Sequence, residues 1–317
     1  MRRIGAALVP LLMAIAVLAG CSSSAASSSP NSSVTASSGF GKVPTVKIPA
    51  KKAGSDLYIQ TETEGKGQPL PKTGGFLSNY VLYVWSGTKH SLALNTYTST
   101  PQVLSTALLP GLKTALVGKK MGSRVLAVLP PKYGFGSQGN PNVGITGTDT
   151  LVFVIDLIKS YPATASASGT HVSDGGGSLP TVTSASGTAP TVTIPSNSPP
   201  ASLVTKTLIK GSGPAVAKGQ EVVTQYVGVN WRTKTVFDSS WSSGSPFGFE
   251  IDASPAQIIT GWDTGLLGVP VGSRVMLVVP PADGYGSSGD SSAGIKGTDT
   301  LVFVIDVLDA VNPNSSK

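Results

Sequence analysis

Apolar and polar residues alternate along much of the chain, and this alternation predicts short β-strands. The clearest segments alternate β-branched and polar side chains with a period of two, and they are Glu221–Asn230, Ser273–Val279 and Thr300–Leu308. A helical period occurs in Thr260–Leu267, where Trp262 and Leu266 share one face and Gly268 supplies a stop. The pattern predicts an α+β domain of about 110 residues, in which a small antiparallel sheet packs on one short helix.

The same pattern occurs twice, because the chain contains an internal repeat. Residues Thr148–Leu157 recur as Thr298–Val307 at a shift of 150 residues, whereas the beginning of each copy matches at a shift of 146. The first copy has therefore lost four residues between Tyr80 and Gly111. We refer to the two copies as the first repeat and the second repeat.

Composition separates the repeats from the segments around them. Gly (38) and Pro (24) are abundant and charged residues make up only 12% of the chain, which fits short strands with many turns. Residues 22–43 and 161–189 consist mainly of Ser, Ala, Thr and Gly, so a flexible tether and a flexible linker are predicted there. The folded domains are predicted at 44–160 and 190–317, with no fixed orientation between them.

The first 21 residues have the pattern of a bacterial lipoprotein signal peptide. Arg2 and Arg3 precede an apolar stretch that is too short for a comfortable membrane span. The run Leu-Ala-Gly-Cys that ends at Cys21 resembles the lipobox, which implies a diacylglyceryl group on that cysteine. The alternative is an ordinary signal peptide with a chance cysteine. We expect an extracytoplasmic protein, lipid-anchored to the cell membrane through Cys21.

Charge is unevenly distributed along the chain, whose formal net charge is +7. Residues 22–55 carry four lysines and no acid, and residues 56–160 carry nine basic residues against five acidic ones. In residues 201–317 the acids prevail, ten against eight. The basic part is nearest the predicted anchor, where anionic headgroups would attract it. Basic and aromatic residues are not interleaved, so no nucleic-acid partner is predicted.

Several kinds of chemistry are poorly supported by the residue types present. Cys21 is the single cysteine, and His90 and His171 are the two histidines, which argues against a disulfide or a zinc site. No G-x-S-x-G motif occurs, so a Ser-His-Asp hydrolase is not indicated. The G-x-G-x-x-G runs that begin at Gly134 and Gly284 open no helical pattern, so they do not predict dinucleotide binding. The sequence predicts no metal and no cofactor.

The second repeat carries a series of separated motifs in a fixed order. They are Tyr226, Val236–Ser240, Pro246–Phe249, Ile258–Trp262, Gly272–Arg274, Tyr285–Gly286 and Thr300–Phe303. In order and approximate spacing this series is similar to that of the FKBP-type peptidyl-prolyl cis-trans isomerases, across essentially all of residues 201–309. The resemblance implies two FKBP-like domains, each an antiparallel β-sheet wrapped on one short α-helix. It also implies an enzyme that catalyses rotation about X-Pro bonds.

The resemblance implies a set of site residues in the second repeat. The catalytic positions are Tyr226, Asp238, Trp262 and Tyr285, and the substrate-binding positions are Phe237, Phe247, Ile258, Ile259, Ile295 and Phe303. In the family, the residue at Trp262 is the floor under the proline ring. The amide at Ile259 and the hydroxyl at Tyr285 bind substrate carbonyls, and Asp238 hydrogen-bonds the phenol at Tyr226. Taken one at a time, the aromatic residues could equally be core.

Such a lining suits the reaction. Amide resonance sets a rotation barrier of about 18–20 kcal/mol, and X-Pro bonds are the ones that populate cis appreciably and interconvert slowly. Twisting the bond removes the resonance and leaves a less polar carbonyl, so an apolar pocket favours the twisted form over the hydrated planar one. The reaction requires no nucleophile, metal or cofactor.

The first repeat lacks several of these residues. Leu112 occupies the position of Trp262, Phe135 occupies the position of Tyr285, and no Phe-Asp-Ser-Ser run is found. We predict that this repeat folds alike with little or no isomerase activity, and serves as a spacer, a membrane contact or a binding module.

Three functions therefore compete. The first is an isomerase that assists folding of exported proteins by acting on their proline-containing segments, with activity in the second repeat. The second is a peptide-binding, chaperone-like envelope lipoprotein with little turnover. The third is a structural lipoprotein, against which the site residues retained in the second repeat argue.

Overall fold

The computed structural model describes residues 29–314, so Cys21 and the predicted signal peptide lie outside the described residues. Within this range, none of the helices is long and apolar enough to cross a membrane. The two repeats form two copies of one fold, each with a sheet, a short helix and an N-terminal hairpin.

The first repeat is a six-stranded antiparallel sheet preceded by a hairpin of strands β1 (Thr35–Ala36) and β2 (Val46–Lys47). The sheet strands are β3 (Tyr58–Thr63), β4 (Gly75–Ser86), β5 (Lys89–Asn95), β6 (Gln102–Ser105), β7 (Arg124–Leu129) and β8 (Thr150–Tyr161). Their order is β3-β7-β8-β4-β5, and β6 also pairs with β4. Helix α1 (Pro110–Leu116) packs on one face.

The second repeat repeats this plan in a seven-stranded sheet. Strand β9 (Thr170–His171) and the hairpin β10 (Thr181–Thr183) and β11 (Thr191–Thr193) come first. The other strands are β12 (Val204–Lys210), β13 (Glu221–Asn230), β14 (Val236–Ser239), β15 (Phe247–Glu250), β16 (Arg274–Val279) and β17 (Leu301–Val311). Their order is β14-β13-β17-β16-β12-β9, and β15 pairs with β13. Beside the predicted helix, now α3 (Thr260–Leu266), the repeat has a four-residue helix α2 (Ser240–Ser243) that the sequence did not predict.

The alternation of side chains along each strand decides which face of the sheet they cover. On β7, Val125, Ala127 and Leu129 join the cluster under helix α1, while Leu126 and Val128 face the opposite side. All five are fully buried. The sheet is therefore apolar on both faces, and both faces need a cover.

The N-terminal hairpins cover the outer faces. Val34 at the start of the first hairpin is completely buried, and Val182 on β10 is 4% exposed; each joins an outer-face cluster. Residues 29–43 and 161–189, which composition predicts to be a flexible tether and a flexible linker, are instead packed against the sheets. The few apolar residues in these segments are spaced so that they pack on the sheet. Each repeat begins well before the boundary that composition predicts.

A buried ion pair holds each hairpin in place. Arg124 and Asp156 pair at 2.7 Å with both side chains fully buried, and the guanidinium also donates to the carbonyls of Ser37 and Lys42 in the hairpin segment. Arg274 and Asp306 form the equivalent pair at 2.5 Å in the second repeat. The outer face thus carries one charged pair per repeat, each closed off by the hairpin.

The two repeats also pack against each other. Leu77, Tyr161 and Val223 form a small buried cluster between them, and Lys159 pairs with Asp309 at 2.6 Å. At the C-terminus, the Asn314 side chain donates to the Asn79 side chain and to the Thr96 carbonyl of the first repeat; these further contacts tie the tail down. The expectation that the repeats have no fixed orientation is therefore wrong for this structure.

Candidate functional site

Helix α3 places a tryptophan against the sheet of the second repeat. Gly261 and Gly265 allow the close approach, because a Cβ atom at either position would lie 2.7 Å from a side-chain carbon of Val279 or Leu277 on β16. Trp262 follows Gly261 and is 4% exposed, within the core cluster under the helix. The local sequence thus fixes the indole ring as a rigid aromatic surface.

Three aromatic rings of the cavity wall pack against Trp262, and a fourth packs on one of these three. The rings of Tyr226 and Phe303 lie edge-on to the indole, with centroids at 5.1 and 5.2 Å, and Phe247 lies at 6.3 Å. Phe237 on β14 in turn contacts Phe303 edge-on at 5.6 Å. Edge-to-face pairs at these distances are favourable. The strands and the helix therefore enclose an aromatic cavity of about 280 Å³.

Tyr226 and Asp238 form the polar side of this cavity. The Tyr226 hydroxyl donates a short hydrogen bond to the Asp238 carboxylate, across the β13–β14 pair. Burial raises the pKa of Tyr226 above its usual value, and the Asp238 carboxylate adds to the effect. The phenol therefore stays protonated at neutral pH. The geometry agrees with the partnership that the family resemblance implies.

Two further hydrogen-bond donors lie at the cavity. The Ile259 carbonyl accepts from the Trp262 amide at 2.9 Å to start helix α3, while the Ile259 amide donates no backbone hydrogen bond within residues 29–314. Tyr285 is 39% exposed, and partial burial raises the pKa of its phenol, with Asp290 contributing. Both groups can therefore donate to a bound carbonyl.

The structure brings together nine of the ten predicted site residues. The cavity is lined by Tyr226, Phe237, Asp238, Phe247, Ile258, Ile259, Trp262, Tyr285 and Phe303, and by two residues that the sequence did not single out, Ala256 and Gln257. Ile295 is not among them; it is 4% exposed and packs in the core cluster beneath the site. Its backbone bridges to Asp290, which fixes the loop that presents Tyr285.

One more residue shapes the cavity without touching a ligand. A Cβ atom at Gly228 on β13 would lie 2.7 Å from the Phe237 ring and 3.1 Å from the Phe303 ring. Glycine at this position is what allows the two rings to meet. A comparison of the two repeats could have found it, because Leu82 stands at this position in the first repeat.

The first repeat has the same strands but lacks the group of side chains that forms the cavity in the second repeat. In the second repeat Asp238 pairs with Gly228, and at the equivalent place in the first repeat Leu94 pairs with Leu82. The first repeat therefore has no carboxylate at the position of Asp238. The Tyr80 hydroxyl instead donates to the Gln102 side chain at 2.7 Å. The polar partner of the buried phenol is thus a neutral amide.

The shortened segment of the first repeat lies at the cavity wall. Six residues separate Leu104 on β6 from Gly111 on α1, whereas eleven separate Phe249 on β15 from Gly261 on α3. The loop of the first repeat is therefore five residues shorter than that of the second. Elsewhere between Tyr80 and Gly111 the first repeat has one residue more, so the overall difference is four. The missing part corresponds to the loop that holds Ala256 and Gln257.

The fold and the cavity together define an α+β binding domain with an aromatic pocket between helix and sheet. Both repeats have this fold, and the second repeat has the complete pocket. A family profile described as FKBP-type peptidyl-prolyl cis-trans isomerase matches residues 78–158 and 213–308, one segment in each repeat and together more than half of the chain. The chain therefore belongs to the FKBP-type peptidyl-prolyl cis-trans isomerase family. The predicted family, fold class and enzyme class are confirmed.

Several named relatives share this similarity. The FK506-binding protein of Streptomyces anulatus is 41% identical over 110 residues, which cover 35% of this chain and 87% of the relative. The probable FK506-binding protein of Corynebacterium glutamicum is 40% identical over 111 residues, covering 35% and 89%. The peptidyl-prolyl cis-trans isomerase FKBP9 of Rattus norvegicus is 27% identical over 270 residues, covering 83% of this chain and 40% of the relative.

Among solved structures, FkpA from Escherichia coli is 34% identical, with a TM-score of 0.32 and coverage of 35% of this chain and 49% of that chain. AtFKBP13 is 32% identical, with a TM-score of 0.31 and coverage of 34% and 91%.

Proposed function

We propose that prolyl isomerisation takes place in the second repeat, in the aromatic cavity and without covalent chemistry. The observation that carries this proposal is the difference between the repeats. Trp262 forms an aromatic floor and Tyr226 pairs with Asp238 in the second repeat, whereas Leu112 and a Tyr80–Gln102 pair stand at these places in the first.

The geometry suggests how the cavity accelerates rotation. A proline ring on the Trp262 indole places the adjacent amide among apolar rings, where the planar, strongly polar form loses its hydration. The twisted form loses less hydration, so the cavity favours the twisted form relative to the planar one. The Ile259 amide and the Tyr285 hydroxyl, placed at the rim, then hold flanking carbonyls and fix the orientation of the peptide.

The Tyr285→Phe variant tests the hydrogen-bond part of this proposal. A neutral hydrogen bond contributes about 0.5–1.5 kcal/mol, so we expect kcat/KM on a proline tetrapeptide to fall roughly two- to tenfold. The matched control is Phe135→Leu, at the equivalent position of the first repeat, which should leave the rate unchanged.

Two other outcomes would count against the assignment. If Tyr285→Phe keeps the wild-type rate, the hydroxyl does not bind the substrate. If Phe135→Leu slows the reaction as much as Tyr285→Phe does, the activity does not reside in the second repeat alone.

We further propose that the enzyme acts at the cell envelope, on proline-containing segments of unfolded or exported proteins, while a lipid on Cys21 holds it at the membrane. The signal-peptide pattern before Cys21 and the basic segment after it support this location. A Cys21→Ser variant should leave the membrane fraction and appear in the soluble fraction. Unchanged membrane association would contradict lipid anchoring at this residue.

A second candidate function is binding of unfolded chains by the first repeat. It is favoured by Leu92 and Leu94, which are about half exposed on β5. Binding of an unfolded protein that survives Tyr285→Phe but is weakened by a Leu92→Ser/Leu94→Ser double variant would support it. Equal binding by the double variant and the wild type would remove it.

A further inference from the structure

The two repeats meet through equivalent surfaces, as two subunits do around a two-fold axis. Lys159 near the end of β8 pairs with Asp309 near the end of β17, and the two positions are related by the repeat shift of 150. Val103 on β6 meets Gly248 on β15, which occupy the same register in the two sheets. The interface is thus a pseudo-symmetric one within a single chain.

The residues near the pseudo-axis are complementary in size. A Cβ atom at Gly248 would lie 2.5 Å from both Cβ and Cγ2 of Val103, so the glycine is the space into which the valine fits. Two copies of the first repeat paired in this way would bring two valines together, and two copies of the second would leave a gap between two glycines.

Charge at the interface is complementary as well. Lys159 and Asp309 have opposite signs, whereas a symmetric pair of either repeat would bring two like charges together. Size and charge therefore both specify pairing of a first repeat with a second one. This pairing uses surfaces that neither repeat could match with a copy of itself.

The interface reaches the aromatic cavity through β15. Phe247 on this strand lines the cavity, and its neighbour Gly248 contacts Val103 of the first repeat. At the other end of the strand, Glu250 accepts a hydrogen bond from the Thr100 hydroxyl of the first repeat at 2.9 Å. The Glu250 amide donates to the Gln257 side chain at 3.1 Å, and Gln257 lines the cavity too.

A buried carboxyl completes this contact. Glu221 is 5% exposed and accepts a hydrogen bond from the Val103 amide at 3.2 Å. Burial raises the pKa of Glu221 to about 7, and the neighbouring Glu250 adds to this shift, while the Val103 hydrogen bond opposes it. A carboxyl in such a place requires the first repeat to supply its donor, since a buried polar group without one is costly.

Support from outside the second repeat is important for β15, because this strand has only four residues and pairs with β13 alone. The Phe247 ring is 39% exposed and contacts Tyr226 and Phe249 at centroid distances of 5.9 and 5.6 Å. A small shift of β15 would therefore move the ring relative to the indole.

We infer that the first repeat, although it lacks the catalytic constellation, positions the substrate-binding wall of the second. Val103 and Thr100 act as positioning residues, holding β15 so that Phe247 faces Trp262. The inference rests on the proposed function, since it concerns the same cavity. It gives the degenerate repeat a role in the reaction that does not need a pocket of its own.

The test is a size exchange across the interface in the full-length protein. In Gly248→Ala the new methyl group would lie 2.5 Å from Val103 and 2.6 Å from the Glu221 carboxylate, so β15 must shift. We expect KM for a proline tetrapeptide to rise roughly fivefold, with a smaller change in kcat, because the wall binds the substrate and the floor is untouched. The double variant Gly248→Ala/Val103→Gly removes the clash with Val103 and leaves space into which the Glu221 carboxylate can move. It should return KM to within about twofold of wild type.

Two results would overturn the inference. One is a wild-type KM for Gly248→Ala, and the other is a KM that stays high when Val103→Gly is added, which would mean that Gly248 matters for the second repeat alone. Val172→Gly, at an exposed valine beside β9, is the matched control and should leave KM unchanged. Failure of the proposed function would look different, because the wild-type chain would then have no turnover to modulate.

Discussion

Replacing Trp262 by leucine, the residue that the first repeat carries at this position, should reduce kcat/KM by roughly thirtyfold. The indole makes edge-to-face contacts with Tyr226 and Phe303 and is the floor of the cavity. Burial of an apolar ring against such a surface contributes about 1.5–3 kcal/mol, and a loss of about 2 kcal/mol in transition-state binding corresponds to this factor. A continuous proline-tetrapeptide assay on the full-length protein measures it.

A matched control separates loss of the floor from loss of stability. Leu112→Ala truncates the equivalent helical residue of the first repeat, which is 5% exposed, so it should destabilise the protein by about 2–5 kcal/mol. It removes nothing from the aromatic cavity and should leave kcat/KM at the wild-type value under conditions in which both variants are folded. A folded Trp262→Leu variant with wild-type turnover would show that the cavity is not where the reaction occurs.

The strands, the helix and the aromatic lining could be predicted from the sequence because they depend on local periodicity and on motifs in a fixed order. Thr260–Leu266 forms the predicted helix, and Tyr226, Trp262 and Phe303 converge because strand register and the helical period fix their directions. Ile295 is not among the residues that line the cavity, and its role in substrate binding stays a prediction, because a family motif does not tell how far a buried side chain reaches from the core into the cavity.

The hairpins that cover the outer faces of the sheets, and the interface between the two repeats, could not be predicted. Both depend on contacts between distant segments. Composition describes residues 29–43 as a polar tether, but Val34 in this segment is completely buried and, together with Ile48, packs on an apolar face of the sheet. The fit of Val103 against Gly248 is likewise invisible in either repeat alone. The repeat comparison did contain the signal at two places, because Val103 and Gly248 differ in size, Lys159 and Asp309 differ in charge, and each pair meets across the interface.

Arg124→Leu should destabilise the protein by about 3–5 kcal/mol. It leaves the Asp156 carboxylate fully buried without its cation. It also removes the donors to the Ser37 and Lys42 carbonyls, so the hairpin segment loses two of its hydrogen bonds to the sheet. The measurement is the free energy of unfolding from a denaturant titration at neutral pH.

The double variant Arg124→Leu/Asp156→Leu shows whether the uncompensated charge is the cause. Replacing a buried ion pair by apolar residues of similar size is often neutral or stabilising, so the double variant should be more stable than Arg124→Leu alone. Because the hairpin still loses the donors to its carbonyls, we expect the double variant to remain below the wild type. If both variants unfold at the same denaturant concentration, the guanidinium acts mainly through the hairpin carbonyls, and the charge of Asp156 contributes little to the loss.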